Sequence, residues 1–150
     1  VAEIARAFGA KVIYYSASGA PAQEGYEQVD FETLLTQSDI ISVHAPLNEH
    51  TEGLINSKAL EKMKSSCIFL NLGRGPIVDE QALYNALVRN QIAAAGLDVL
   101  CEEPMSADNP LLKIKDSKRL LITPHIAWAS VEARTHLMEI IHGQVKDFFA

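Results

Sequence analysis

Short apolar runs recur along this chain, and most of them are followed by a segment with helical periodicity. A strand that is continuously apolar, without polar alternation, is typical of a parallel sheet covered by helices on both faces. The order strand, helix, strand, helix therefore predicts an α/β fold built on a doubly wound parallel sheet. The predicted strands are residues 11–15, 39–43, 67–71, 92–99 and 120–123.

Apolar spacing and capping residues predict the helices. Residues 1–8 place apolar side chains on one helical face, and Gly9 follows where a helix often ends. A loop is expected over residues 16–28. Four later helices begin after side chains that can accept the first unpaired N–H groups. Asp30 caps a helix that runs to Leu35, Asn56 caps one that runs to Met63, and Asp79 caps one over residues 80–90. Ser130 caps a longer amphipathic helix, whose apolar residues include Leu137, Ile140, Ile141, Val145, Phe148 and Phe149.

Charge and cysteine usage exclude several classes of protein. The net charge is -6, and the 13 Lys and Arg residues are scattered, which argues against a nucleic-acid surface. Cys67 and Cys101 form no CxxC motif, as expected for a reducing cytoplasm. No apolar run approaches the roughly 20 residues of a membrane span. The five histidines show no convergent spacing for a metal.

Polar residues follow the apolar runs directly, where doubly wound sheets bind their ligands. They are Ser16, His44, Asn71 with Gly73 and Arg74, Asp98, and Pro124 with His125. Glycines beside Arg74 allow a close backbone approach, and a guanidinium can grip a carboxylate with two hydrogen bonds. A histidine at a strand end suits acid–base chemistry. Each signal alone has an equally compatible structural explanation. The Arg74 segment fits a surface turn, the Asp98 segment fits a solvated acidic loop, and His125 fits a histidine packed at the edge of the core.

Together these stretches resemble the D-isomer-specific 2-hydroxyacid dehydrogenase family in order, residue type and spacing. The likeness extends over essentially the whole chain, and its most specific part is the stretch from Asn71 to Glu80. The other parts are residues 43–48 with Thr51, residues 95–99 with Glu103 and Pro104, and residues 124–127. The resemblance implies a Rossmann-type fold and hydride transfer between NAD(P)(H) and a small D-2-hydroxy acid or 2-oxo acid.

The resemblance also implies roles for individual residues. Arg74, Glu103 and His125 match the family's catalytic three, in which arginine binds the substrate carboxylate, histidine exchanges a proton and glutamate orients the histidine. Positions that match the family's cofactor site are Ser16, Ala45, Pro46, Thr51, Leu72, Gly73, Arg74, Asp98, His125 and Ala127. Relatives are generally homodimers. Residues 104–110 and 125–130 most resemble members that act on glycerate and hydroxypyruvate.

Three departures from the family pattern qualify this interpretation. Ser16 stands where NAD-specific members carry an acidic residue, so NAD is the expected cofactor and NADP remains open. Ala127 is more often glycine in the family, and Trp128 is bulkier than the usual neighbour. The family's first strand and glycine-rich phosphate loop have no counterpart here. Residues 1–150 are therefore expected to be most of the nucleotide-binding domain, with a gap beside the strand that contains Tyr14 and an N-terminal substrate domain elsewhere.

Other functions remain open from the sequence. Formate dehydrogenases resemble the chain but carry glutamine at the position of Glu103, so the carboxylate favours a 2-hydroxy acid. An NAD-sensing, corepressor-like binding module keeps the same catalytic residues. An inactive fragment is the third alternative.

Overall fold

The computed structural model describes residues 1–149 and confirms the α/β class with parallel strands. Helices and strands alternate through most of the chain, as the apolar pattern predicts. In chain order the elements are α1 (Ala2–Ala7), β1 (Ile13–Tyr14), β2 (Glu27–Gln28), α2 (Phe31–Gln37), β3 (Ile40–Val43), α3 (Ser57–Lys62), β4 (Ile68–Asn71), α4 (Glu80–Val88), β5 (Ala94–Leu97), β6 (Leu120–Ile122) and α5 (Val131–Phe148). Short 3₁₀ helices cover Gly75–Ile77 and Pro110–Lys113.

The four predicted caps are confirmed, and they explain where the helices begin. Asp30 accepts a hydrogen bond from Thr33 N at 2.7 Å, Asp79 from Ala82 N at 2.9 Å and Ser130 from Ala133 N at 3.1 Å. Asn56 accepts from the N–H groups of Lys58 and Ala59 at 3.0 and 3.2 Å. The far ends shift by two residues, since α2 continues to Gln37 and α4 ends at Val88.

The strands form two separate parallel sheets. One has the order β3-β4-β5-β6, and the other is the pair β1-β2. In the larger sheet Val43, Asn71 and Leu97 stand side by side, and Leu97 pairs with Ile122. No hydrogen-bonded pairing joins β1 to β3 among residues 1–149, so the sheet is interrupted beside β1, where the sequence predicts a gap.

The prediction of a loop over residues 16–28 is wrong at the C-terminal end of this segment. Glu27 and Gln28 form strand β2, which pairs with Ile13 and Tyr14 of β1. Both residues of β2 are polar and exposed, so no apolar pattern marks them as a strand. Only their pairing with β1 makes this segment extended.

The hydrophobic core lies on one face of the four-stranded sheet. Phe69 of β4 is fully buried there against apolar residues of α3 and α4. These include Leu60, Leu83 and Leu87, each at most 2% exposed. Burial of a side chain of this size stabilises the fold by about 1.5–3 kcal/mol. This core supports the strands whose ends carry the candidate site.

The opposite face is more open than the sequence pattern predicts. Ile40 and Leu121 are each 61% exposed, and Ile68 is 41% exposed. Helix α5 has no buried residue within the part of the chain that the structure describes. Coverage of both faces is therefore not observed for residues 1–149. None of the helices described there is long and apolar enough to cross a bilayer.

Candidate active site

The C-terminal ends of four parallel strands bring most of the predicted site residues to one edge of the larger sheet. Because β3, β4, β5 and β6 run in the same direction in matched register, the residues that follow them share this edge. Ala45 and Pro46 follow β3, and Leu72 to Arg74 follow β4. Asp98 follows β5, and His125 follows β6.

The turn that carries Arg74 is built by the side chain of Asn71. This amide is 1% exposed, accepts a hydrogen bond from Gly73 N at 3.1 Å and donates one to Arg74 O at 3.0 Å. The Arg74 side chain is exposed, and its Nη1 donates to Gly73 O at 2.9 Å. The turn thus holds the backbone of Arg74 in place and leaves most of the planar guanidinium available for an anion.

Glu103 and His125 form the closest pair of titratable groups in the site. His125 Nδ1 lies 2.8 Å from Glu103 Oε2, and both side chains are partly exposed. The other carboxylate oxygen, Oε1, accepts a hydrogen bond from Leu100 N at 2.9 Å. These two hydrogen bonds, the one from Leu100 first, lower the pKa of Glu103 below its usual value.

An ionised carboxylate only accepts hydrogen bonds, so the Nδ1 atom of His125 carries the proton that points at Glu103. Nε2 is then the ring nitrogen that can exchange a proton with another molecule. Among the predicted catalytic three, the structure brings Glu103 and His125 into direct contact. It places Arg74 at the same sheet edge but gives no direct contact between Arg74 and that pair.

Asp98 holds the turn that presents His125. The residue is 4% exposed, and its carboxylate accepts hydrogen bonds from Thr123 Oγ1 at 2.6 Å and from the N–H groups of Ile126 and Ala127 at 2.9 Å each. Burial disfavours the charged form, but these three hydrogen bonds outweigh it and lower the pKa of Asp98.

This support matters because His125 adopts a left-handed backbone with φ of +53°. A non-glycine residue held in that region costs about 1–3 kcal/mol, which the surrounding structure must offset. Trp128 adds a further hydrogen bond, from its indole Nε1 to His125 O at 2.9 Å. Asp98 and Trp128 therefore both stabilise the turn that contains His125.

The loop after β3 is closed by Thr51, which is 1% exposed. Its hydroxyl donates to Pro46 O at 2.7 Å and accepts from Asn48 N at 2.9 Å. Gly73 packs against this loop, since an added Cβ would lie 3.0 Å from Ala45 O. The predicted contacts of Ala45, Pro46, Thr51, Leu72 and Gly73 with a dinucleotide stay predictions, although the Thr51 hydroxyl is already used within the loop.

Gly75 brings the Arg74 turn against the segment that follows β5. A Cβ built on Gly75 would overlap the carbonyl of Leu100, so no side chain fits at this position. Only glycine permits this approach. The backbone beside Arg74 and the backbone that leads to Glu103 are therefore in van der Waals contact.

Ser16 lies after β1, which belongs to the smaller sheet. Its Oγ accepts a hydrogen bond from Ala20 N at 3.2 Å and lies 3.2 Å from Ser18 Oγ. The hydroxyl is half-buried and organises the turn that follows the strand. Its predicted contact with a ribose remains a prediction.

Sequence reasoning singled out the charged residues, Asn71 and Trp128, but it did not predict the hydrogen bonds that hold the turns. Asn71 and Trp128 act through hydrogen bonds across turns, whereas Thr123 bonds Asp98 from 25 residues away and Glu80 contacts a loop more than 20 residues away. For Asn71 a signal existed, because a buried polar residue at the end of an apolar strand needs partners. No comparable signal marks Glu80, which is an ordinary residue for the first turn of a helix.

The parallel sheet, with its polar residues collected at the strand ends, defines an α/β nucleotide-binding domain of the Rossmann type. Residues 1–127 match the sequence pattern described as D-isomer specific 2-hydroxyacid dehydrogenase, NAD binding domain. The chain belongs to this family.

Known relatives agree with this assignment. A hydroxypyruvate reductase of Blautia hydrogenotrophica is 45% identical over 148 residues, which are 97% of this chain and 45% of that protein. An acyclic imino acid reductase in complex with NADPH and D-Arg superposes with a TM-score of 0.89 at 40% identity, covering 99% of this chain and 46% of that one. A D-lactate dehydrogenase from Aquifex aeolicus, complexed with NAD and lactic acid, superposes with a TM-score of 0.88 at 30% identity, covering 99% and 49%. The chain thus spans about half the length of the relatives it matches.

Proposed function

We propose that the complete protein is an NAD(P)-dependent D-2-hydroxyacid dehydrogenase that interconverts a small 2-oxo acid and its D-2-hydroxy acid. The observation that carries the proposal is the contact of 2.8 Å between Glu103 and His125 at the sheet edge that also carries Arg74. An oriented imidazole beside a cation that can bind a carboxylate supplies the two functions that this chemistry needs from the protein.

Arg74 binds the carboxylate of the 2-oxo acid and polarises the neighbouring carbonyl oxygen. The planar guanidinium can make two parallel hydrogen bonds to a carboxylate, which fixes the substrate's orientation. As negative charge develops on the carbonyl oxygen, the fixed positive charge stabilises it. The Arg74 side chain is exposed, so a carboxylate can reach it.

His125 handles the proton at Nε2. During reduction the imidazolium donates this proton to the carbonyl oxygen, and during oxidation the neutral ring removes the hydroxyl proton. Glu103, bound to Nδ1, keeps the ring in the required tautomer and stabilises its positive charge. Asp98 accepts hydrogen bonds from the N–H groups of Ile126 and Ala127 and so holds the left-handed turn, which keeps His125 in place before substrate binds.

The donor set at the sheet edge suits a dinucleotide, since loops after consecutive parallel strands offer backbone groups and small side chains to it. The residues that would hold it are Ser16, Ala45, Pro46, Thr51, Leu72, Gly73, Arg74, Asp98, His125 and Ala127. When bound, the dihydronicotinamide supplies the hydride. Asp98 already accepts three hydrogen bonds from the protein, so its main action is on the His125 turn.

We propose NAD as the preferred form of the cofactor. Ser16 can donate a hydrogen bond to a ribose hydroxyl, and no Lys or Arg stands among residues 17–19 to bind a 2'-phosphate. The solved relatives hold either form, one NADPH and the other NAD. The preference is therefore tested directly with both reduced cofactors.

Glycerate and hydroxypyruvate are the proposed substrates, supported by the likeness to a hydroxypyruvate reductase. We further propose that residues 1–150 form most of the nucleotide-binding domain and that another part of the protein supplies the substrate domain. A homodimer in the cytoplasm, without nucleic-acid or membrane partners, completes the proposal. Light scattering of the purified protein tests the dimer.

The deciding experiment follows the loss of NADH or NADPH absorbance with hydroxypyruvate, glyoxylate, pyruvate and a branched 2-oxo acid. A further arm offers pyruvate with an amine, which forms an imine, because one relative is an imino acid reductase. We expect the fastest turnover with NADH and hydroxypyruvate. His136→Ala serves as the matched control for His125→Ala, since His136 lies on α5 with its side chain 75% exposed.

A loss of turnover of less than about tenfold in His125→Ala would contradict the assigned chemistry. If the protein binds NADH but reduces none of these acids, an NAD-sensing binding module becomes the better account. If it neither binds NADH nor turns over, the chain is an inactive fragment.

A further inference from the structure

Glu80 occupies an unusual place between two parts of the site. It is the first residue of α4, directly after the capping Asp79, and it is half-buried. Its carboxylate makes two hydrogen bonds that leave its own helix. Oε1 accepts from Cys101 N at 2.8 Å, and Oε2 accepts from Asn109 Nδ2 at 2.7 Å.

These two contacts lie on either side of Glu103. Cys101 precedes Glu103 by two residues, and Asn109 follows it by six. Asn109 is 8% exposed, and its own Oδ1 accepts from Leu111 N at 3.0 Å, so this anchor is itself fixed. A single carboxylate thus ties together both ends of the loop that presents Glu103.

The first contact bears directly on the environment of Glu103. Leu100, whose N–H donates to Glu103 Oε1, immediately precedes Cys101, whose N–H donates to Glu80 Oε1. Two consecutive peptide N–H groups therefore donate to two different carboxylates, one to Glu103 and the next to Glu80. Leu100 O also packs against Gly75, next to Arg74.

We propose that Glu80 is a positioning residue for catalysis, a carboxylate on helix α4 that fixes the loop of Glu103 and, through it, the orientation of His125. This inference deepens the proposed dehydrogenase function and rests on it. Glu80 does not touch the reacting atoms. It acts through the Leu100–Glu103 hydrogen bond and the contact of Glu103 with His125 Nδ1.

The charge of Glu80 is also placed where the fold tolerates it. A carboxylate in the first turn of a helix meets unpaired N–H groups and the positive end of the helix dipole. Partial burial of the thiol, followed by the negative charge of Glu80, raises the pKa of Cys101 to about 11. Cys101 therefore stays a neutral thiol, and its role here is the backbone N–H that it donates.

The test compares the complete protein with Glu80→Ala, Glu80→Gln and the control Glu102→Ala. Glu102 is an exposed glutamate on the same loop, and the structure gives it no hydrogen bond within residues 1–149. Each protein is assayed for reduction of hydroxypyruvate by NADH across a range of pH. Thermal unfolding confirms that each variant is folded.

We expect Glu80→Ala to lower kcat about tenfold to a hundredfold, because displacement of a catalytic group by about 1 Å has effects of this size. KM for hydroxypyruvate should change less than kcat, since Arg74 still binds the carboxylate. Glu80→Gln keeps one acceptor for Cys101 N, so its kcat should fall less than that of Glu80→Ala. Glu102→Ala should match the wild type.

The pH profile separates positioning from a general loss of stability. Reduction uses the charged form of Glu103, so activity is lost as pH falls through the lowered pKa of that carboxyl. Loss of the Leu100 hydrogen bond raises the pKa of Glu103, so the acid limb of kcat moves to higher pH in Glu80→Ala. The charged groups that act on Glu103 are His125 and Asp98, and neither is altered by these substitutions.

Wild-type kcat and an unmoved acid limb in Glu80→Ala would overturn the inference. If Glu80→Ala does not fold, the same comparison is made with Glu80→Gln. If the wild type reduces no 2-oxo acid, the proposed function fails, and crystal structures then decide the inference. In those structures we expect the Glu103–His125 contact in the wild type and its loss in the variant, and an unchanged contact would refute the role of Glu80.

Discussion

The turns that carry His125 and Arg74 lie at the same sheet edge but are held very differently. Three side chains constrain His125. Asp98 accepts hydrogen bonds from the two N–H groups that follow it, Trp128 donates one to its carbonyl, and Glu103 binds its ring Nδ1. At Arg74 the backbone is held by Asn71, whereas the guanidinium has one hydrogen bond, to Gly73 O.

This difference corresponds to two chemical tasks. A group that transfers a proton must stand at a defined distance and in one tautomer before the substrate arrives. A group that binds a carboxylate gains its orientation from the substrate itself, through two parallel hydrogen bonds. The chain therefore organises the histidine in advance and leaves the arginine to be ordered by its ligand.

Removal of the proton carrier should have the largest effect. His125→Ala is expected to lower kcat about 100-fold to 10,000-fold, because general acid–base catalysis contributes on this scale. Steady-state reduction of hydroxypyruvate measures it, with His136→Ala as the control. A loss of less than about tenfold would mean that another group transfers the proton.

Arg74→Lys tests the arginine's geometry while keeping its charge. Lysine cannot form the paired hydrogen bonds to a carboxylate, so we expect kcat/KM to fall about 100-fold, with a clear rise in KM. The same steady-state assay over a wide range of hydroxypyruvate concentrations measures both parameters. Arg134→Lys, on the exposed helix α5, provides the matched control.

An unchanged KM in Arg74→Lys would show that Arg74 does not bind the substrate carboxylate. The comparison between the two turns would then rest on His125 alone.

Asp98→Asn tests the support of the histidine turn. Asparagine offers one oxygen where the carboxylate offers two, so a backbone N–H that donates to the buried Asp98 loses its partner, at a cost of about 1–3 kcal/mol. Urea unfolding should show this loss, and kcat should fall while binding of NADH persists. Thr123→Val, which removes only the hydroxyl donor, should have a smaller effect. Equal stability of Asp98→Asn and wild type would show that Asp98 does not hold the turn that presents His125.

The smallest effect is expected for Trp128→Phe. This change removes the hydrogen bond to His125 O, which contributes about 0.5–1.5 kcal/mol, while Asp98 still holds the turn. We expect kcat to fall less than about tenfold, in line with that energy. A larger loss of kcat than in Asp98→Asn would show that Trp128 supports the His125 turn more strongly than Asp98 does.

Much of the fold followed from local pattern. The parallel α/β class, the positions of the main strands and all four side-chain caps were predictable, because burial and capping depend on residues close together in sequence. Strand β2 was not, since Glu27 and Gln28 are polar and extended only through pairing with β1. The open face of the sheet was equally hidden, because apolar periodicity in α5 does not say what the helix packs against.

For the candidate site, the sequence by itself determined which residue types follow each strand, and the resemblance to a family supplied roles for Arg74, Glu103 and His125. Only the tertiary structure decided that Glu103 reaches Nδ1 of His125, that Asp98 holds a left-handed turn and that Glu80 joins two ends of one loop. These contacts join residues 21 to 29 positions apart. Sequence spacing carries no information about such distances, because they are set by how the strands and loops pack against one another in the folded sheet.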